Sequence, residues 1–120
     1  MFKLMIVDDS TIIRNRIKRA YNNAQFELIG TAKNGVEALA LFQKHRPDVI
    51  TMDLTMAEMD GLECIARIMQ IDPDAQILVI SAMSDKATGI RALELGAQGF
   101  ICKPFTDDQL VEALNELVME

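Results

Sequence analysis

The chain has 120 residues, half of them hydrophobic and a quarter charged, with a formal net charge of −6. That length suits one domain able to bury a core without staples, and the composition excludes a disordered chain. The acidic balance argues against nucleic acid or an anionic membrane as a direct partner, because both select basic surfaces.

Leu4 to Val7 is a short apolar run of the kind that forms a strand covered on both faces, and it stops at Asp8-Asp9. Ser10 can cap a helix whose apolar face is Ile13, Ile17, Ala20 and Tyr21, ending at Asn22-Asn23. Phe26 to Ala32 alternates only partly, as an edge strand would. Asn34 and Glu37 resemble a capping box, and Ala38, Leu41 and Phe42 follow at helical spacing, with Leu39 beside them, up to Arg46-Pro47. Val49 to Met52 is a second buried-type strand, ending on Asp53. Residues 54 to 59 have no clear period, and Asp60-Gly61 signals a turn before a helix with Leu62, Ile65 and Met69 on one face, closed by Asp72-Pro73-Asp74. Ile77 to Ile80 ends on Ser81. A fourth helix runs from about Asp85 to Leu95, with Gly96 as its left-handed cap. Gly99 to Cys102 ends on Lys103-Pro104. Thr106 and Gln109 form a capping box for a last helix with Leu110, Leu114 and Leu117, joined by Val111 and Val118, on its apolar face.

This is βα repeated five times with short connections, and it predicts an α/β fold: one doubly wound parallel sheet, in a single domain spanning 1–120. Cys64 and Cys102 fit no metal-ligand spacing and are expected as buried free thiols. The first residues turn acidic at once, unlike a secretory signal, and no apolar run approaches the roughly 18 residues of a membrane span, so a cytoplasmic setting is expected.

Ligands of open parallel sheets bind beyond the carboxyl ends of the strands. Asp8, Asp9, Asp53, Ser81 and Lys103 all stand at such ends. Three carboxylates crowded at one edge repel unless a cation joins them, and oxygen ligands without His or Cys suit Mg²⁺, or Mn²⁺, far better than zinc. A metal keeping several waters can also take a phosphoryl oxygen. Lys103 can hold a second and the Ser81 hydroxyl can donate to a third. That leaves a carboxylate as the nucleophile, with the lone Asp53 the best candidate.

In Val7-Asp8-Asp9-Ser10, Met52-Asp53-Leu54, Met59-Asp60-Gly61-Leu62-Glu63, Ile80-Ser81-Ala82 and Lys103-Pro104-Phe105, the chain resembles the receiver domains of two-component response regulators, and most of all the single-domain, CheY-like chemotaxis regulators. The resemblance implies a flavodoxin-like sheet of strand order 2-1-3-4-5. It implies that Asp53 accepts a phosphoryl group from a sensor histidine kinase or phosphotransfer protein. Asp9 and Asp53 would ligate Mg²⁺, Asp8 would hold a metal-bound water, and the Thr55 carbonyl would complete the protein's ligands. Lys103 pairs with the phosphoryl group, Ser81 moves toward it, Ala82 leaves room for the donor, and Phe100 is the switch aromatic. The Lys103–Pro104 bond is expected to be cis. A downstream effector would meet helices four and five with strand five, where Ile90, Arg91, Glu94, Gln98, Asp107, Gln109 and Glu112 offer a mixed surface. The protein would be a monomer, or a weak dimer when phosphorylated, and a switch with slow loss of its own phosphoryl group rather than an enzyme.

Two departures stand out. Ala57 occupies a position where the family usually has proline, and Phe100 lacks a hydroxyl, so a switch there works by packing alone. The front of the chain, including Glu27 to Asn34, also resembles the receiver of chemotaxis methylesterases. Met56, Met59 and Met83 fall near the proposed site, where Met83 could shield a phosphoryl bond; core filling is the plainer role for the methionines. His45, beside a lysine and an arginine, is expected in solvent. The competing readings are a pseudo-receiver that signals unphosphorylated and an aspartyl-phosphate phosphatase of the haloacid dehalogenase type. The latter class spaces its two aspartates one residue apart, whereas Asp8 and Asp9 are adjacent.

Overall fold

The structure, a computed structural model, describes residues 1–21, 24–54, 56, 59–82 and 86–118. Five strands and five helices alternate: β1 (Phe2–Val7), α1 (Thr11–Ala20), β2 (Phe26–Ala32), α2 (Gly35–His45), β3 (Val49–Met52), α3 (Gly61–Ile71), β4 (Gln76–Ala82), α4 (Lys86–Leu95), β5 (Gly99–Lys103) and α5 (Asp107–Val118). The strands form one parallel sheet in the order β2-β1-β3-β4-β5. The fold is therefore the doubly wound parallel sheet that the βα pattern predicts, in the flavodoxin-like order that the family resemblance implies.

Helices on both faces give two cores. One lies between the sheet and α2, α3 and α4, and is built on Met5, Val7, Ile50, Met52, Ile77 and Val79 with Phe42, Ile65 and Ile68. The other lies under α1 and α5, and is built on Leu4, Ile6, Val49, Leu78 and Ile80 with Ile17, Leu110 and Leu114. Successive residues of one strand serve opposite cores, which is why the central strands read as unbroken apolar runs. β2 lies at the edge and is largely half-buried, as its partial alternation predicts.

The helix ends follow the sequence closely. The Ser10 hydroxyl accepts from the Ile13 N–H, and Asp60 accepts from the Glu63 N–H at 2.9 Å. Thr106 and Gln109 form the reciprocal box, with bonds of 2.9 and 3.1 Å. The Asn34 box is only half formed. Asn34 accepts from the Glu37 N–H, but the Glu37 carboxylate accepts from the Lys33 N–H instead of Asn34. At the end of α4, Gly96 takes φ +125° and donates to Leu93, while Ala97 donates to Ala92. Those paired bonds are a Schellman cap, and the positive φ explains the glycine.

Two details depart from expectation. The inner face of α3 is Gly61, Cys64, Ile65 and Ile68, so Leu62 and Met69 are only half-buried. β1 begins two residues earlier than the apolar run, because Phe2 and Lys3 pair with Phe26 and Glu27 despite their exposure. Both cysteines are free, Cys64 buried and Cys102 half-buried. Burial, with the Glu63 carboxylate adding, pushes the Cys64 thiol up to about 12, so it behaves as an inert small hydrophobe. His45 is exposed. No helix among the described residues is long and apolar enough to cross a membrane.

Candidate functional site

The chain leaves the sheet in opposite directions from β1 and β3. β2 flanks β1 on one side and β3 on the other, so a crevice opens at their carboxyl ends. Val7 and Met52 are register partners, which sets the following residues, Asp8 and Asp53, side by side. Backbone bonds pin both. The Asp8 N–H donates to the Ala32 carbonyl and the Asp53 N–H to the Val7 carbonyl, at 3.1 and 3.0 Å. Their carboxylates are buried, while Asp9 is exposed at the rim. One oxygen from each of Asp8, Asp9 and Asp53 lies within 4.8 Å of the others.

Lys103 arrives from the end of β5. Its Nζ stands 2.9 Å from Asp8 Oδ2 and 3.5 Å from Asp53 Oδ1. Burial alone would pull its pKa down, but Asp8 and then Asp53 outweigh that and hold it above the ordinary lysine value. The ammonium is therefore charged throughout the neutral range. The Lys103–Pro104 peptide bond is cis.

The other Asp8 oxygen, Oδ1, accepts from the Ser10 N–H at 2.9 Å, so Asp8 also closes the turn into α1. The approach of Lys103 to Oδ2 is oblique, and that buried oxygen has no well-directed hydrogen bond. An all-oxygen set of three carboxylates, one with such an oxygen, fits a hard divalent cation.

Ser81 and Ala82 end β4. Met52 is the register partner of Val79, so Asp53 falls beside Ile80 and Ser81 lies one residue further along. Ser81 is buried and Ala82 exposed at the mouth of the crevice. Phe100 does not face the crevice. On β5 it pairs with Val79 of β4 and points to the α4 side, the face it shares with Cys102. The structure thus brings Asp8, Asp9, Asp53 and Lys103 together, sets Ser81 and Ala82 next to them, and puts Phe100 on a neighbouring face. Thr55, Ala57 and Met83 lie outside the described residues.

The sequence reading missed Arg14. Its guanidinium donates to the Asp8 carbonyl at 2.6 Å and to Thr11 Oγ1 at 3.1 Å, tying α1 to the acidic turn. The available signal was its position on the first turn of α1 next to Thr11 at i, i+3. It was hidden among Arg16, Lys18 and Arg19 on the same basic helix. Gly61, read from the sequence only as part of a turn signal, and Gly35 also have a packing role. A Cβ on Gly61 would overlap the Asp53 carbonyl oxygen and lie 2.6 Å from Leu54 Cα; one on Gly35 would overlap the Met59 carbonyl. The Gly35 N–H donates to that Met59 carbonyl and the Gly61 N–H to Leu54, so close backbone contacts frame the segment after Asp53.

Residues 4–115 match the family described as the response regulator receiver domain. The chemotaxis protein CheY of Listeria monocytogenes serovar 1/2a is 43% identical, over 97% of this chain and 98% of its own length. The chemotaxis protein CheY of Thermotoga maritima is 44% identical, over 96% of both chains. Among solved structures, the CheX–CheY–BeF3–Mg²⁺ complex from Borrelia burgdorferi contains a chain that superposes with a TM-score of 0.93 at 30% identity, covering 99% of this chain and 90% of that one. With the fold and the match across nearly its whole length, the chain belongs to the response regulator receiver domain family, the phosphorylation-activated switches of two-component and chemotaxis signalling.

Proposed function

We propose that residues 1–120 act as a single receiver domain in which Asp53 takes a phosphoryl group from a phosphohistidine on a sensor histidine kinase or phosphotransfer protein. The observation that carries this is the buried Asp53 carboxylate, 3.5 Å from the Lys103 ammonium and grouped with two further aspartates. An Asp53 oxygen attacks phosphorus. The P–N bond breaks, its electron pair returns to the imidazole nitrogen, and an acyl phosphate forms. Lys103, already charged, is the counter-ion for the incoming phosphoryl oxygens. Ser81 supplies a hydroxyl to another oxygen, and the small, exposed Ala82 leaves the donor an open approach.

Asp8, Asp9 and Asp53 would hold Mg²⁺, or Mn²⁺, and the resemblance to the family adds the Thr55 carbonyl as a further ligand. Bound there, the ion neutralises charge on the transferring group. Phosphorylation then shifts the population toward an arrangement in which Ser81 and Phe100 have moved and the α4–β5–α5 face engages an effector protein. Ile90, Arg91, Glu94, Gln98, Asp107, Gln109 and Glu112 are all exposed, although Asp107 pairs with Arg16 of α1 and the Gln98 amide bonds the backbone of Ala75 and Ile77. The protein acts on no separate substrate; it labels itself from small phosphodonors and loses the group slowly. The reading places it in the cytoplasm as a monomer, or a weak dimer when phosphorylated, and its net charge of −6 disfavours direct binding to nucleic acid or an anionic membrane.

Incubation with Mg²⁺ and acetyl phosphate, followed by intact mass, tests the reading. One phosphoryl group is expected, and none in Asp53→Asn or after chelation. Undiminished labelling of Asp53→Asn would overturn the assignment of the acceptor.

A further inference from the structure

Helix α4 meets the sheet through a glycine. Its buried residues are Gly89 and Ala92, whereas α3 buries Cys64, Ile65 and Ile68 beside Gly61. Glycine inside a helix weakens it relative to alanine, so Gly89 is placed against local preference. The space its missing side chain leaves is filled by the ring of Phe100. A Cβ on Gly89 would overlap Phe100 Cε2 and lie 2.7 Å from Cδ2 and 2.9 Å from Cζ. These atoms form one edge of a rotatable ring and none is backbone, so a methyl group at this position would displace the ring and leave the helix in place.

The surroundings give that displacement a consequence. Phe100 is half-buried against the core shared by α2, α3 and α4. It also lines an apolar groove of about 300 Å³ between α4 and β5, together with Ile90 and Leu93, which are 58% and 43% exposed. The position of the ring therefore sets the shape of a surface a partner can reach. Without a hydroxyl, Phe100 is held by contact alone, and contact energy falls steeply with small gaps.

We infer that Gly89 is a positioning residue for Phe100: its bare backbone is the seat that holds the ring against α4 before any phosphoryl group arrives. The seat sets how much of the population has the ring docked, and so the resting bias of the switch. This deepens the proposed function and rests on the reading of Phe100 as the switch aromatic.

The test uses protein labelled with 4-fluorophenylalanine at its five phenylalanines, with the Phe100 resonance assigned by its loss in Phe100→Leu. In the wild type, the H2O-to-D2O shift of that ¹⁹F resonance should be well below that of the free amino acid. In Gly89→Ala it should rise at least twofold. Thermal unfolding supplies a second reading that does not depend on the label. Gly89→Ala should lower Tm in the wild-type background and raise it in Phe100→Ala, where the methyl group meets no ring and the helical preference of alanine shows. A change of Tm with the same sign in both backgrounds, or an unchanged isotope shift, would overturn the inference. Neither measurement needs metal or phosphodonor, and both should read alike in Asp53→Asn. A failed seat would leave phosphoacceptance at Asp53 untouched, and failed labelling at Asp53 would leave the seat untouched.

Discussion

Two regions of this molecule lie one strand apart and are built in opposite ways. At the carboxyl ends of β1 and β3, two buried aspartates are fixed by ladder hydrogen bonds, by the Ser10 N–H and the Arg14 guanidinium on Asp8, and by a lysine ion pair. At the α4–β5 face, contact is made by a glycine, an alanine and one half-buried ring, beside two exposed aliphatic side chains. The first region must hold charges in place before a reaction, which takes rigid backbone and fixed counter-charge. On the proposed function, the second must have two arrangements close in energy, which takes little buried area and no directional bond. A switch needs both, and their separation lets the chemistry stay fixed while the readout moves.

The contrast predicts where substitutions should be costly. The largest effect belongs to Lys103→Ala, which leaves Asp8 and Asp53 buried without their cation. Removing one partner of a fully buried pair costs ~3–5 kcal/mol, and Lys103 is partly exposed, so about 2 kcal/mol is expected by urea unfolding in chelator. Millimolar Mg²⁺ should recover part of that loss, because a cation bound only by the folded state stabilises it. Signalling should suffer even where labelling by acetyl phosphate survives. Equal stability of wild type and variant in chelator would mean that the ion pair does not hold the site.

Next comes Gly61→Ala. The new methyl group would press on the Asp53 carbonyl and Leu54 Cα, and backbone cannot move aside as a ring can. An overpacking cost of about 1–2 kcal/mol is expected, with slower labelling of Asp53 in the surviving folded protein. The same substitution at Gly89 should cost less, since there only a side chain yields. Equal losses of stability at the two glycines would erase the distinction between the regions.

Arg14→Ala should be milder. It removes one donor to the Asp8 carbonyl across a part-buried contact and leaves the Asp8 and Asp53 carboxylates with their lysine. A loss of about 1 kcal/mol and a severalfold slower labelling rate, without abolition, are expected. Arg14→Lys should recover less than full activity, because one ammonium cannot bridge both the Asp8 carbonyl and Thr11 Oγ1 in the fixed fork of a guanidinium. Wild-type kinetics in Arg14→Ala would reduce the clamp to a surface contact.

Much of the fixed region was legible in the sequence, because strand runs, turn residues and a polar residue at each strand end are local signals. Asp8, Asp53 and Lys103 could be grouped because parallel strands bring their carboxyl ends to one edge. Arg14 could not be picked out, since a clamping arginine and a solvated one read alike on a basic helix. Cys64 and Ile68 were missed on α3 because the periodicity also admitted Leu62 and Met69, and only packing against β3 and α2 chooses between the two stripes. The soft region was the least legible. Nothing local says that Gly89 faces Phe100, because that contact depends on how closely α4 approaches β5 across eleven residues of chain.

The smallest effect should come from the outer wall of the soft region. Ile90 and Leu93 are 58% and 43% exposed and lie outside both cores, so replacing both with serine should change stability by no more than about 0.5 kcal/mol per site. The labelling rate at Asp53 should be unchanged, because neither side chain belongs to the α4 residues that meet the sheet, Gly89 and Ala92. The apolar groove should nevertheless be lost, since these two residues form much of its rim. Uptake of a small apolar dye, followed by fluorescence, should fall in the double variant while intact-mass labelling proceeds at the wild-type rate. Slowed labelling would mean that the outer face of α4 is coupled to the acidic crevice by a route that bypasses Phe100. Labelling that held while Gly89→Ala altered it would assign the coupling to the ring and its seat.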